Sequence, residues 1–237
     1  MSSGMNEAET RLTYIDPELR SKTWGFEFNN QTRIRPEFPV TPGRIEGHGR
    51  RGNSLSADYV LEHRNRKLAV IEAKRWDLPV SEGVNQAKDY ARMLDIRFTY
   101  STNGQGFYEI DMLSGEERHL RIDQFPTPEE LWERTFDTED EFRDELATVP
   151  FEDRGGTWQP RYYQDNAIER TLQAISDGKD RILLTLATGT GKTSIAFQVT
   201  WKLFETRWNR KGDGRRPRVL FLADRNILAN QAFNSFS

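Results

Sequence analysis

The chain has 237 residues, no cysteine, and 34 Lys and Arg against 37 Asp and Glu, for a formal net charge of −3. That length points to two units rather than one, and the missing thiols exclude disulfides and thiolate metal centres, so a reducing, cytoplasmic setting is expected. Apolar runs are only a few residues long, far below the about 20 needed to cross a bilayer, so no membrane partner is expected.

The charge is segregated along the chain. Between Gln31 and Arg75 ten basic residues face five acidic ones, and between Asp123 and Asp153 twelve acidic residues face only Arg134 and Arg143. Distribution of this kind says more about an anionic partner than the net sum does. His48, His63 and His119 share no ligand spacing, which argues against a histidine zinc site.

In chain order, residues 5–20 read as a helix, and Trp24, Phe26 and Phe28 alternate like a strand leading into Arg33 and Phe38. TPGRIEGHGRRGNS (41–54) reads as a loop by its Gly, Pro and Ser content, and Arg44, Arg50 and Arg51 on it suit phosphate contact. SADYVLEH (56–63) and KLAVIEAK (67–74) read as strands joined by a polar turn. A helix over 81–94 follows, with Val84, Ala87, Ala91 and Leu94 on one stripe, and then a strand, a Gly turn and another hairpin over 97–119.

The hairpin carries a chemical pattern. A turn around Asn65 makes residues whose numbers sum to about 130 face one another, so Asp58 lies opposite Glu72, and the two-residue strand period puts Lys74 on the same face. Two carboxylates that can hold Mg2+ and one ammonium beside them are what metal-dependent phosphodiester hydrolysis requires. An isolated match of this kind is more often an ordinary cross-strand salt bridge. Here Glu72 and Lys74 interrupt the apolar run LAVIEAK, where charges are costly unless paired or metal-bound.

Downstream, 123–155 reads as an acidic helical linker. WQPRYYQDNAIERTLQAISDG reads as a helix ended by Gly178, and RILLTL (181–186) as a buried strand running into LATGTGKT (186–193) and a long helix. The loop residues Thr188, Gly189, Thr190 and Gly191 let backbone N–H groups wrap a phosphate. Lys192 reaches the β and γ phosphates and the Thr193 hydroxyl can ligate Mg2+, which makes ATP with Mg2+ the expected ligand. VLFLADR (219–225) reads as the next strand. The expected class is α/β: a mixed-sheet domain over 1–122, the linker, and over 156–237 the opening of a parallel nucleotide-binding sheet. The last residues resemble a strand entering a helix that stops, so a longer protein is expected.

Asp58, Glu72 and Lys74 together resemble the PD-(D/E)xK nuclease superfamily, with Ala57 in place of the Pro. Gln86 and Tyr90 match the Gln-x-x-x-Tyr motif of the branch related to RecB, where an amide and a phenol brace the site. That resemblance implies a first-helix carboxylate at the metal, for which Glu9 is the candidate ahead of Glu7 and Glu18. LATGTGKT is similar to motif I of superfamily 2 helicases, with Leu186 where the general pattern has its first Gly. Arg161-Tyr162-Tyr163-Gln164 resembles their Q motif, whose Gln reads adenine, and VLFLADR resembles motif Ia, with Arg225 as a DNA-contact candidate.

A nuclease of this branch ahead of a RecA-like motor resembles the R subunit of type I restriction enzymes. The resemblance implies an ATP-dependent endonuclease acting on double-stranded DNA in complex with methyltransferase and specificity subunits. Two other readings stay open. One is a DNA-remodelling motor whose nuclease-like domain is an inactive clamp. The other is a type III or repair helicase-nuclease, against which the order of the parts argues.

Overall fold

The computed structural model describes residues 5–27, 31–41, 45–46, 50–51, 54–136, 140–153 and 160–222. They form two compact units divided at Glu139/Asp140. The division falls inside the segment expected as a linker, so its acidic residues are shared between the two units.

The first unit is built on a six-stranded sheet of order β1-β4-β5-β6-β7-β8, where β1 is Thr32–Thr41, β4 Leu55–His63, β5 Arg66–Ala73, β6 Phe98–Thr102, β7 Gly106–Asp111 and β8 Glu117–Arg121. Every neighbouring pair is antiparallel except β5 and β6. That parallel pair needs a crossover, and α3 (Val84–Leu94) supplies it. Ala87, Tyr90, Ala91 and Leu94 form its buried stripe, and Asp95 ends it with a left-handed φ of 57°.

Sequence explains the edges. β1 carries Pro36 and Pro39, which a central strand would not tolerate, and β8 is the charged run ERHLR. The central strands are buried on both faces: Val60, Leu61, Leu68, Val70, Ile71, Phe98, Tyr100 and Phe107 make the core with Trp24 and Phe125. Of the strand expected over Trp24, Phe26 and Phe28, the described residues 24–27 form none, and Phe28 lies outside the described residues. Trp24 instead donates from its indole to the Pro126 carbonyl at 3.0 Å, and the strand starts only at Thr32. Within the expected loop 41–54, β2 (Ile45–Glu46) pairs with β3 (Arg50–Arg51) as a minimal hairpin.

The first helix is continuous but not uniform. α1 (Glu7–Thr10) passes through a π-helical turn (Arg11–Ile15) into α2 (Asp16–Ser21). Gly104, at φ +82°, is where this helix meets the β6–β7 turn: a Cβ there would lie 2.8 Å from Thr10 Cγ2. Tyr14 and Trp76 stack nearby, ring centroids 4.4 Å apart. α4 (Pro128–Thr135) is tied down by Arg134, whose guanidinium donates to both oxygens of the buried Glu109 at 2.6 and 3.0 Å.

The second unit packs α5 (Glu141–Thr148), α6 (Tyr162–Ser176) and α7 (Lys192–Glu205) around Leu146, Ile168, Leu172, Ile195 and Leu203. The expected parallel sheet is not formed among the described residues. Neither of the apolar runs 181–187 and 219–222 is in a strand, and Leu183, Leu220 and Leu222 are more than four-fifths exposed. Their apolar composition is that of strands covered on both faces, and no strand lies beside them among the described residues. No helix among the described residues is long and apolar enough to cross a membrane.

Candidate nuclease and nucleotide sites

The β4–β5 hairpin turns through Arg64 and Asn65, both left-handed at φ 47° and 58°, a two-residue turn whose twist matches that of the strands. Past an irregularity between Leu61 and Glu62, the pairs are Leu61 with Ala69, Val60 with Val70 and Tyr59 with Ile71. Continued one step, this register sets Asp58 opposite Glu72. Asp58 Oδ2 accepts the Ala73 N–H at 2.7 Å, which fixes the carboxylate over β5. Both acids are buried, with Asp58 9% and Glu72 3% exposed.

Lys74 lies at the centre of a chain of contacts. Its Nζ donates to Glu72 Oε1 at 2.9 Å and to Gln86 Oε1 at 3.2 Å, and Gln86 Nε2 donates to the Tyr90 hydroxyl at 2.9 Å. The four-residue spacing on α3 thus serves one purpose, bracing the amide that holds the ammonium. The start of α3 presses on Glu72: a Cβ on Gly83 would lie 2.9 Å from Glu72 Cγ and 2.8 Å from Ser101 Oγ. Only glycine fits there without moving the acid.

Burial raises the proton affinity of both carboxyls. Asp58 is pushed up to about 6 by burial, against the Ala73 N–H and with Glu7 adding to the rise. Glu72 is pushed up to about 7 by burial and by Asp58, against the pull of Lys74. The Lys74 ammonium is raised despite burial, because Glu72 accepts from it. Glu72 Oε2 is buried with no hydrogen-bond partner among the described residues. An unpaired carboxylate oxygen in a buried, electronegative corner suits a divalent cation shared with Asp58. Among the described residues no group of three or more His, Cys, Asp or Glu side chains is arranged to hold a metal.

Glu9 is not the first-helix carboxylate that faces this pair. Its Oε2 accepts the Asn6 N–H at 3.0 Å while its own N–H donates to Asn6 Oδ1, a capping box that turns the side chain back on its own helix. Glu7 is the acid whose charge bears on Asp58, Glu72 and Lys74. The signal was in the sequence: Asn followed three residues later by Glu marks a cap. The side chains of Arg50 and Arg51 lie outside the described residues, as do Arg44 and Arg225 entirely.

In the second unit the loop Thr188–Gly191 enters α7 with Gly189 at φ +77° and Gly191 at φ +83°. Both need the freedom of glycine, and at Gly191 a Cβ would strike Gln164 Nε2 at 2.3 Å. Lys192 folds back, donating to the Leu186 and Ala187 carbonyls at 3.0 and 2.9 Å. Thr193 stands in the first turn of α7 and is half-buried. Gln164 lies against the loop: its Oε1 accepts the Arg161 N–H at 2.9 Å and its Nε2 donates to the Thr190 carbonyl at 2.8 Å. Each end of the amide makes one of its two possible hydrogen bonds to the chain this way, which braces the loop.

Residues 157–237 match the family model described as "Type III restriction enzyme, res subunit". The chain is 38% identical over 98% of its length to the Type I restriction enzyme EcoAI endonuclease subunit of Escherichia coli, and 28% identical, again over 98%, to the EcoKI endonuclease subunit of E. coli K12. It spans 29% and 24% of those relatives. Among solved structures it is similar to a fragment assigned to an HsdR subunit of a type I restriction enzyme from Vibrio vulnificus YJ016. The TM-score is 0.83 and the identity 44%, covering 94% of this chain and 42% of that one. The type III model matches the second unit alone, whereas the type I relatives match both.

Proposed function

We infer that the chain belongs to the family of type I restriction enzyme endonuclease subunits, that its first unit is their PD-(D/E)xK nuclease of the branch related to RecB, and that its second opens their ATP-driven DNA translocase. Asp58 and Glu72 hold Mg2+, which when bound supplies Lewis-acid stabilisation of the scissile phosphate and an activated water. Lys74, held between Glu72 and Gln86, steadies the attacking water or the phosphate, and Tyr90 keeps Gln86 in place. Glu7 adds negative charge to the same corner.

The observation that carries this reading is the pairing of two buried, proton-hungry carboxyls, one with an unpartnered oxygen, beside an ammonium braced by a second motif. A structural salt bridge would need neither the orphan oxygen nor the Gln86–Tyr90 brace. Identity of 38% along nearly the whole chain supports the family. In the second unit Thr188, Gly189, Thr190, Gly191, Lys192 and Thr193 would take the phosphates of ATP with Mg2+. Double-stranded DNA is the substrate, with methyltransferase and specificity subunits as partners, and Arg44, Arg50, Arg51 and Arg225 are candidate phosphate contacts.

The test is cleavage by the complete enzyme carrying Asp58→Ala or Glu72→Ala. Loss of Mg2+-dependent cleavage with ATP hydrolysis retained supports the reading. Undiminished cleavage refutes it and leaves the first unit as a non-catalytic DNA clamp.

A further inference from the structure

Arg11, the first residue of the π-helical turn, sends a partly buried guanidinium across onto β4. π turns inserted in α-helices are frequent at functional sites. The guanidinium carbon lies 4.6 Å from the centroid of the Tyr59 ring, and Nε donates to the Tyr59 hydroxyl at 3.0 Å. That hydroxyl donates in turn to Asp16 Oδ1 at 2.6 Å, so both the ring and its oxygen are fixed. One terminal nitrogen of Arg11 pairs with Glu37 and stands 3.6 Å from Asp58 Oδ1. The other reaches the Asp58 carbonyl at 3.4 Å.

Glu37 occupies β1 between the pairs Pro36–Tyr59 and Phe38–Ala57, level with Asp58, and takes a left-handed φ of 48°. A non-glycine residue adopts that conformation at a cost, and here it brings a carboxylate onto the guanidinium. The Arg11 and Asp58 side chains are 17% and 12% exposed, whereas Glu37 is 62% exposed. Water therefore screens the Arg11–Asp58 pair poorly and the Arg11–Glu37 pair well.

On the nuclease reading above, we propose that Arg11 is a positioning residue acting through Asp58. It is a fixed counter-charge that holds this carboxylate in place and limits how tightly the Asp58–Glu72 site takes a divalent cation. Glu37 sets the strength of that effect by sharing the guanidinium. A cation anchored on one side of a metal ligand repels a doubly charged ion on the other. A site so weakened is completed when a DNA phosphate adds its own oxygen to the ion, which keeps the nuclease quiet until substrate is in place.

The opposing charges give opposite signs, which a merely structural role for the cluster would not. Mn2+ is titrated into the full chain at pH 8, with free ion read by electron paramagnetic resonance. Arg11→Met is expected to bind about three- to tenfold more tightly than the native chain, since a neighbouring positive charge is gone. Arg11→Lys is expected to stay near native. Glu37→Gln, which releases the whole guanidinium to Asp58, is expected to bind about threefold more weakly.

Weaker or unchanged binding in Arg11→Met, or a shift of Arg11→Met and Glu37→Gln in the same direction, overturns the proposal. Should Arg11→Met fail to fold by circular dichroism, the Glu37→Gln sign decides alone, and tighter or unchanged binding there overturns it. Asp58→Ala separates the two levels. If it abolishes binding while Arg11→Met leaves affinity unchanged, the Arg11 assignment alone is wrong; if the native chain binds no Mn2+, the metal site falls with it.

Discussion

Replacing Glu72 by Gln removes a buried charge and keeps the shape of the side chain. Because the Glu72 carboxyl is raised from 4.5 to about 7 in the folded chain, folding favours its protonated form. The stability this contributes is present below the unfolded value and is lost as pH rises through about 7. At about 1.4 kcal/mol for each tenfold change in proton affinity, an ionised Glu72 lowers stability by at most ~3 kcal/mol at pH 8. The attraction of the Lys74 ammonium is already contained in that net rise, since it pulls the Glu72 value down. Glu72→Gln is therefore expected to be more stable than the native chain by about 2–3 kcal/mol at pH 8 in EDTA, with the gap closing toward pH 4.5. Urea unfolding across that range, with amide exchange in β5 to localise the effect, measures it. A Glu72→Gln chain less stable than native at pH 8 would mean that the Glu72–Lys74 bridge is a net structural support. The argument for a strained metal site would then fail.

Other substitutions probe neighbouring contacts. Gly83→Ala must displace Glu72 Cγ or Ser101 Oγ, so cleavage should fall by about tenfold or more while unfolding shifts by only about 1 kcal/mol; unchanged single-turnover cleavage would contradict the close approach. Gln86→Ala frees Lys74 from one of its two partners and should lower the cleavage rate by about ten- to a hundredfold with Mn2+ affinity unchanged; an equal loss of metal binding would show that the amide serves the carboxylates instead. Lys192→Ala should abolish ATP hydrolysis by the complete protein without altering its circular dichroism. Charge reversal at Arg50 and Arg51 should weaken DNA binding and flatten its salt dependence, whereas a salt-independent loss would indicate misfolding.

The facing of Asp58 and Glu72 was read from a turn around Asn65 and the two-residue strand period, but the turn alone does not set it: His63 pairs with Arg66, and the irregularity between Leu61 and Glu62 shifts the register by one so that Tyr59 faces Ile71 and Asp58 faces Glu72. The Gln86–Tyr90 pair was legible from helical spacing. The Glu9 expectation failed because a helix-start acid has a local competitor, the backbone N–H of its own cap, and the Asn6–Glu9 spacing wins it. Arg11 and Glu37 were not legible. Their contact depends on a π turn and a left-handed residue in an edge strand, 26 positions apart, and neither leaves a pattern in composition. The strands of the second unit were read from apolar runs alone. Such runs report what a segment would bury, and pairing further requires neighbours that the described residues do not provide.

Crystals of the chain soaked in Mn2+ and measured at the manganese absorption edge test the central claim most directly. The account predicts an anomalous peak at the Asp58 and Glu72 carboxylates, lost in Asp58→Ala. A soaked crystal with both carboxylates ordered and no peak between them, or with the peak elsewhere in the first unit, would contradict it.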